Sequence, residues 1–141
     1  MRFVMEFSLA FAGSFCAGYL FNIRVRKLIW AGLSGMAGWM VYILVLAMTG
    51  QSFFSVFAGA VAVGVFSEIM ARVLKMPATV FSIPGIFPLV PGIAAYETIQ
   101  FLLSDQLQEA GGKMVETLAA AGAIAFGIFL VTAFFRMGSK K

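Results

Sequence analysis

The sequence predicts an all-α membrane protein: a bundle of five transmembrane helices, the fourth broken by a Pro/Gly-rich segment. Three observations carry this expectation. Of the 141 residues, 62% are hydrophobic and only 11% charged, too apolar for a water-soluble domain of this length. The apolar residues fall in long runs separated by short basic or polar turns, and all four prolines lie between Pro77 and Pro91. A hydrocarbon core about 30 Å thick needs roughly 20 apolar residues per helix, so the chain holds four or five spans in a single transmembrane domain, 1–141.

The first span covers about 3–21. Arg2 is the single basic residue ahead of it, Glu6 interrupts it, and Phe15 before Cys16 spoils a lipoprotein-type cleavage site, so a retained helix is expected rather than a signal peptide. The basic turn Asn22-Ile23-Arg24-Val25-Arg26-Lys27 leads to a second span at 28–48, and Thr49-Gly50-Gln51-Ser52 to a third at 53–71. The fourth is expected at 80–103. A polar stretch with Asp105, Glu109 and Gly111-Gly112 then precedes the fifth at 114–135. With five spans, Arg24, Arg26, Lys27, Arg72, Lys75, Arg136, Lys140 and Lys141 share one side and only Arg2 and Lys113 the other. The positive-inside rule therefore places the N-terminus outside and the C-terminus in the cytoplasm. Confined to these turns, the basic residues read as topology signals and not as a nucleic-acid surface.

Ala10, Ser14 and Gly18, then Ala60 and Gly64, then Ala119, Ala123 and Gly127 repeat at helical spacing. Such stripes let membrane helices approach closely, and packing is their expected role. Gly32, Gly35 and Gly38 mark either another close-approach face or a flexible one. With no histidine and the single Cys16, the chain offers no zinc site, no disulfide and no Ser/His constellation; no cofactor, metal or catalytic residue is expected, and proton chemistry falls to carboxylates.

The segment Pro77 to Gly92 cannot form a regular helix, because each proline lacks an N–H and clashes with the preceding turn. The helix after Gly92 is only about 17 Å long, so part of the proline stretch must enter the bilayer. Unwound backbone survives there only when buried in protein or lining a watery cavity. The freed N–H groups near Ile93, Ala94 and Ala95 offer a carboxylate site at a half-helix end. Tyr96, Glu97, Thr98 and Gln100 follow at once. Intramembrane carboxylates are costly, which makes Glu97, Glu68 and Glu6 the proton-coupling candidates. Glu97 ranks first, while Glu68 reads more simply as an i,i+4 partner of Arg72.

Pro77, Phe81, Pro84, Gly85, Ile86, Pro88, Leu89, Val90, Pro91, Gly92 and Tyr96 fit the pattern P-x-x-x-F-x-x-P-G-I-x-P-L-V-P-G followed by Tyr. This resembles the signature of the threonine/serine exporter (ThrE) family, specifically its small YjjB-type membrane half. The resemblance implies a bacterial inner-membrane subunit that works with a larger YjjP-type half and exports threonine and serine, or succinate in the split form. Two five-span halves would form an inverted pair around a central site. The candidate substrate-binding residues are Thr79, Phe81, Pro84, Gly85, Pro88, Pro91, Gly92, Tyr96, Glu97 and Gln100. A homo-oligomer, and a non-transporting scaffold whose broken helix docks another subunit, are the alternatives that the residues leave open.

Overall fold

The computed structural model describes residues 2–138, with the side chain of Arg2 outside that description. Lys140 and Lys141, counted above for orientation, lie outside the described residues, as does the Arg2 side chain. Among the described residues all regular structure is helical: α1 (Arg2–Leu20), α2 (Val25–Thr49), α3 (Ser52–Leu74), α4 (Thr79–Gly85), a 3₁₀ turn (Phe87–Leu89), α5 (Gly92–Leu103) and α6 (Leu107–Gly138). Four of these, α1, α2, α3 and α6, are long and apolar enough to cross a membrane. The pair formed by Thr79–Leu89 and Gly92–Leu103, bent by 55°, makes a fifth if counted as one broken span.

Local chemistry sets the ends. Gly50, at φ +66°, closes α2 with its N–H on the Leu46 carbonyl. Lys75 ends α3 in the same left-handed conformation. The polar residues 107–113 do not form a separate loop; they are the first turns of α6, which begins ahead of the apolar run.

α3 is the central element, packing on α2 and α6, while α1 packs on α2. Val56, Ala60, Val63, Ala123 and Ile124 build the core, and Leu89 of the 3₁₀ turn inserts between them. The small-residue stripes are packing faces: Ser14 and Ala60 are fully buried and Ala123 nearly so. The three α2 glycines are likewise a close-approach face. A Cβ at Gly32 would stand 2.6 Å from the Phe11 ring, and one at Gly38 would stand 3.2 Å from the Gly59 carbonyl. The outer faces expose Leu9, Leu20, Ile93, Leu103, Phe129 and Phe134, an apolar girdle that suits lipid.

The basic turns gather at one end of the bundle. The Lys27 ammonium contacts the Met76 sulfur, which joins the first turn of α2 to the α3–α4 turn. Arg72 donates to the Phe135 carbonyl at 3.0 Å and its guanidinium lies 4.9 Å from the Phe135 ring centre. Among the described residues no ion pair forms between Glu68 and Arg72. The free carbonyls and negative dipole end of α6 hold the arginine instead. Arg72→Gln is therefore expected to lower stability by about 1 kcal/mol, through loss of the cation–π and carbonyl contacts, measurable as a lower unfolding midpoint in detergent. An unchanged midpoint would show that the α3–α6 junction does not need it.

Candidate functional site

The bundle is tight at its basic end and open at the other. Near the basic end, α4 lies on α2, α3 and α1. Phe81, Pro84 and Gly85 are buried there among Ser34 and Val63. Ser34 and Ser67 face each other at 3.3 Å between their hydroxyl oxygens. Residues 79–85 are α-helical, against the expectation of an irregular segment from Pro77 onward, because Pro84 near the helix end forfeits a single N–H bond; beyond α4 the chain unwinds. Pro88 cannot offer an N–H to Pro84, and Val90, at ψ 128°, is extended. The helix restarts only at Gly92, swung aside by 55°.

That swing leaves a cavity of about 520 Å³ between α5, the 3₁₀ turn, α2, α3 and the first turns of α6. Trp39, Tyr42, Phe53 and Val56 supply its apolar wall, and Pro88, Pro91, Gly92, Ile93 and Ala94 line it along the break. The Gly92 N–H is taken by Val90 at 2.8 Å and the Ala95 N–H by Pro91 at 3.0 Å. Among the described residues, the N–H groups of Ile93 and Ala94 have no backbone acceptor, as expected for the first turn of a helix.

The charged wall is a triad. Lys113 on α6 holds Glu97 of α5 at 2.9 Å and Glu116, one turn along α6, at 3.1 Å. All three line the cavity, each side chain being one-third to one-half exposed. One ammonium between two carboxylates gives the wall a formal charge of about −1 and offers both signs within one side-chain length.

The structure thus brings Pro88, Pro91, Gly92 and Glu97 to one cavity and leaves other candidates elsewhere. Phe81, Pro84 and Gly85 do not line it; they are packed core of α4. Thr79, Tyr96 and Gln100 are exposed on outer faces and do not line it. Glu68 is half-buried near the basic end. Glu6 lines a second cavity of about 240 Å³ with Leu9, Ala10, Gly13, Trp39, Phe87 and Pro88. Lys113, Glu116, Trp39 and Tyr42 were not anticipated. Their signal is periodic: the α6 stripe Ala123, Gly127 extends backwards through Ala120 and Glu116 to Lys113, and Gly32, Gly35 of α2 extends to Trp39 and Tyr42.

No solved structure matches the chain. A threonine/serine exporter of Corynebacterium glutamicum is 32% identical over 100 residues, which are 71% of this chain and 20% of that protein. The chain therefore spans about a fifth of that relative's length. The family model described as "Threonine/Serine exporter, ThrE" matches residues 6–134, so almost the whole bundle, broken span and charged wall included, belongs to the threonine/serine exporter family.

Proposed function

We propose that this chain is the membrane subunit of a secondary exporter of small amino acids of the threonine/serine type, with the substrate held in the cavity beside the break. The observation that carries the reading is the Glu97–Lys113–Glu116 triad against an aromatic wall at a discontinuous helix. An α-amino acid presents one carboxylate and one ammonium. Its carboxylate replaces a glutamate on Lys113, and its ammonium takes the glutamate so released, so each end exchanges one charge-assisted bond for another. A succinate-like dianion would add two negative charges to a wall that already holds two carboxylates against one ammonium. The amino acid is therefore favoured over the dicarboxylate. Glu97, beside the hinge, is the proton-coupling candidate.

Five spans, with the N-terminus outside and the C-terminus in the cytoplasm of a bacterial inner membrane, suit this role. The reading is supported by Arg24, Arg26, Lys27, Arg72, Lys75 and Arg136 clustering at the α1–α2, α3–α4 and α6 ends that contacts draw together. A YjjP-type half, or a second copy of this chain, completes the transport path, since the cavity lies open on one side of a bundle one-fifth the length of the curated relative.

Proteoliposomes carrying the chain with its partner half test the reading. Threonine and serine are expected to move. Pro91→Ala and Glu97→Gln are each expected to slow that movement by roughly tenfold, about the worth of one charge-assisted hydrogen bond or one misplaced contact. Unaltered flux in both variants would remove the site; movement of succinate but not threonine would reverse the substrate assignment. Complexes that assemble but move no solute would make the chain a scaffold.

A further inference from the structure

The two cavities share two wall residues, Trp39 of α2 and Pro88 of the 3₁₀ turn. Trp39 is half-buried and stacks on Tyr42, with ring centres 4.9 Å apart and planes 26° apart. Trp39 lines both chambers, yet its Nε1 is buried and has no hydrogen-bond partner among the described residues. An indole N–H normally finds an acceptor or water when buried. This one has no acceptor among the described residues, although Trp39 lines two cavities. A donor left unmet shifts the balance towards a position where it is met, by roughly tenfold or more relative to a satisfied group.

We infer that Trp39 is a movable partition between the substrate cavity and the Glu6 cavity, closed in this conformation and opened by rotation of the indole. Rotation exposes the N–H to water or solute and joins the two chambers. Two features make the motion accessible. The stack on Tyr42 is the ring's aromatic hold, worth only a few-fold to about tenfold in population. The opposing wall, Pro88, belongs to the single 3₁₀ turn Phe87–Leu89 ahead of the extended Val90, so no continuous α-helical ladder runs through it to resist displacement. A carboxylate in the substrate cavity would meet the rotated N–H, so the partition responds to occupancy.

The test is hydrogen exchange of the indole N–H, followed by NMR on the full chain in nanodiscs with Trp30→Phe, which leaves Trp39 as the sole tryptophan. A partition exchanges its N–H at least about 100-fold faster than the backbone amides of Ala60 and Val63 in the core, since those need larger openings. Tyr42→Leu removes the stack and is expected to accelerate the indole about fivefold while those amides keep their rates. An indole N–H as protected as the core amides overturns the inference. So does a Tyr42→Leu variant in which indole and amides speed up together, because exchange then reports general loosening. Neither measurement uses a transported solute, so the failure of the export reading leaves this test standing, and slow exchange removes the partition without touching the export reading.

Discussion

Lys113→Met is expected to abolish threonine and serine flux, by about 50-fold or more, while the protein stays folded, because the residue contributes little to stability and most of the binding charge. Its side chain is 36% exposed, and ion pairs so placed contribute little to folding because solvent screens them. Binding is another matter. Among the described residues Lys113 is the one cation on the cavity wall, and without it Glu97 and Glu116 face an incoming carboxylate with nothing to offset them. The lost bond from Lys113 to the solute carboxylate and the unopposed repulsion by two glutamates together give a loss of this order. Lys113→Arg keeps the charge but replaces a compact ammonium with a planar fork, so partial flux, about a third, is expected. The measurement is initial rate against threonine concentration in proteoliposomes, beside an unfolding midpoint for each variant. Wild-type rates in Lys113→Met at low and saturating threonine would show that the triad does not bind the solute.

How much of this was legible beforehand follows from what each signal depends on. The long spans were readable because lipid demands a continuous apolar run, and α1, α2 and α3 coincide with those runs to within a few residues. The break was readable because proline chemistry is local: Pro88 and Pro91 interrupt the backbone between α4 and α5, whereas Pro84 stands inside α4, where the loss of one N–H near a helix end is tolerated. What the break does to its neighbours was not. Whether Phe81 and Pro84 face a cavity or a core depends on the direction in which α4 leans, and that is set by the glycine and serine faces of α1 and α2, far away in sequence. Glu97 stood out as an intramembrane carboxylate, but its partner Lys113 lies across a turn, in residues whose polarity suggested a loop. Helix continuation through Gly111 and Gly112 is what puts Lys113 on the Ala120–Ala123 face. The Glu68–Arg72 pairing failed for a related reason: spacing made it possible, and the free carbonyl end of α6 offered Arg72 a better partner.

The packing of α4 on α2 and α3 carries the second large effect. Gly85→Ala is expected to destabilise the protein by about 2–3 kcal/mol, the usual cost of forcing atoms into a filled core. A Cβ at Gly85 would stand 2.5 Å from the Ser34 hydroxyl oxygen, 3.1 Å from the Ser34 Cβ and 2.9 Å from the Val63 Cγ1. The hydroxyl can turn away only by giving up its 3.3 Å contact with Ser67. Val63 is β-branched, fully buried and held in the α3 helix, so its methyl has almost no rotameric escape. The strain must then be relieved by moving α4 off α2, and α4 is the base from which the 3₁₀ turn and Leu89 project into the core. Loss of stability and a displaced 3₁₀ turn, whose Pro88 and Leu89 line the cavity, should therefore come together. Adding Ser34→Ala removes the oxygen but leaves the Val63 contact, so the double variant should recover about half of the loss, a coupling of about 1 kcal/mol between residues in contact. Adding Val63→Ala instead should relieve the second clash but open space of its own, recovering less. Unfolding midpoints in detergent for the three proteins decide the matter: if Gly85→Ala melts with the wild type, the tight α2–α4 contact does not hold the break in place, and the reason for a cavity at that depth disappears with it.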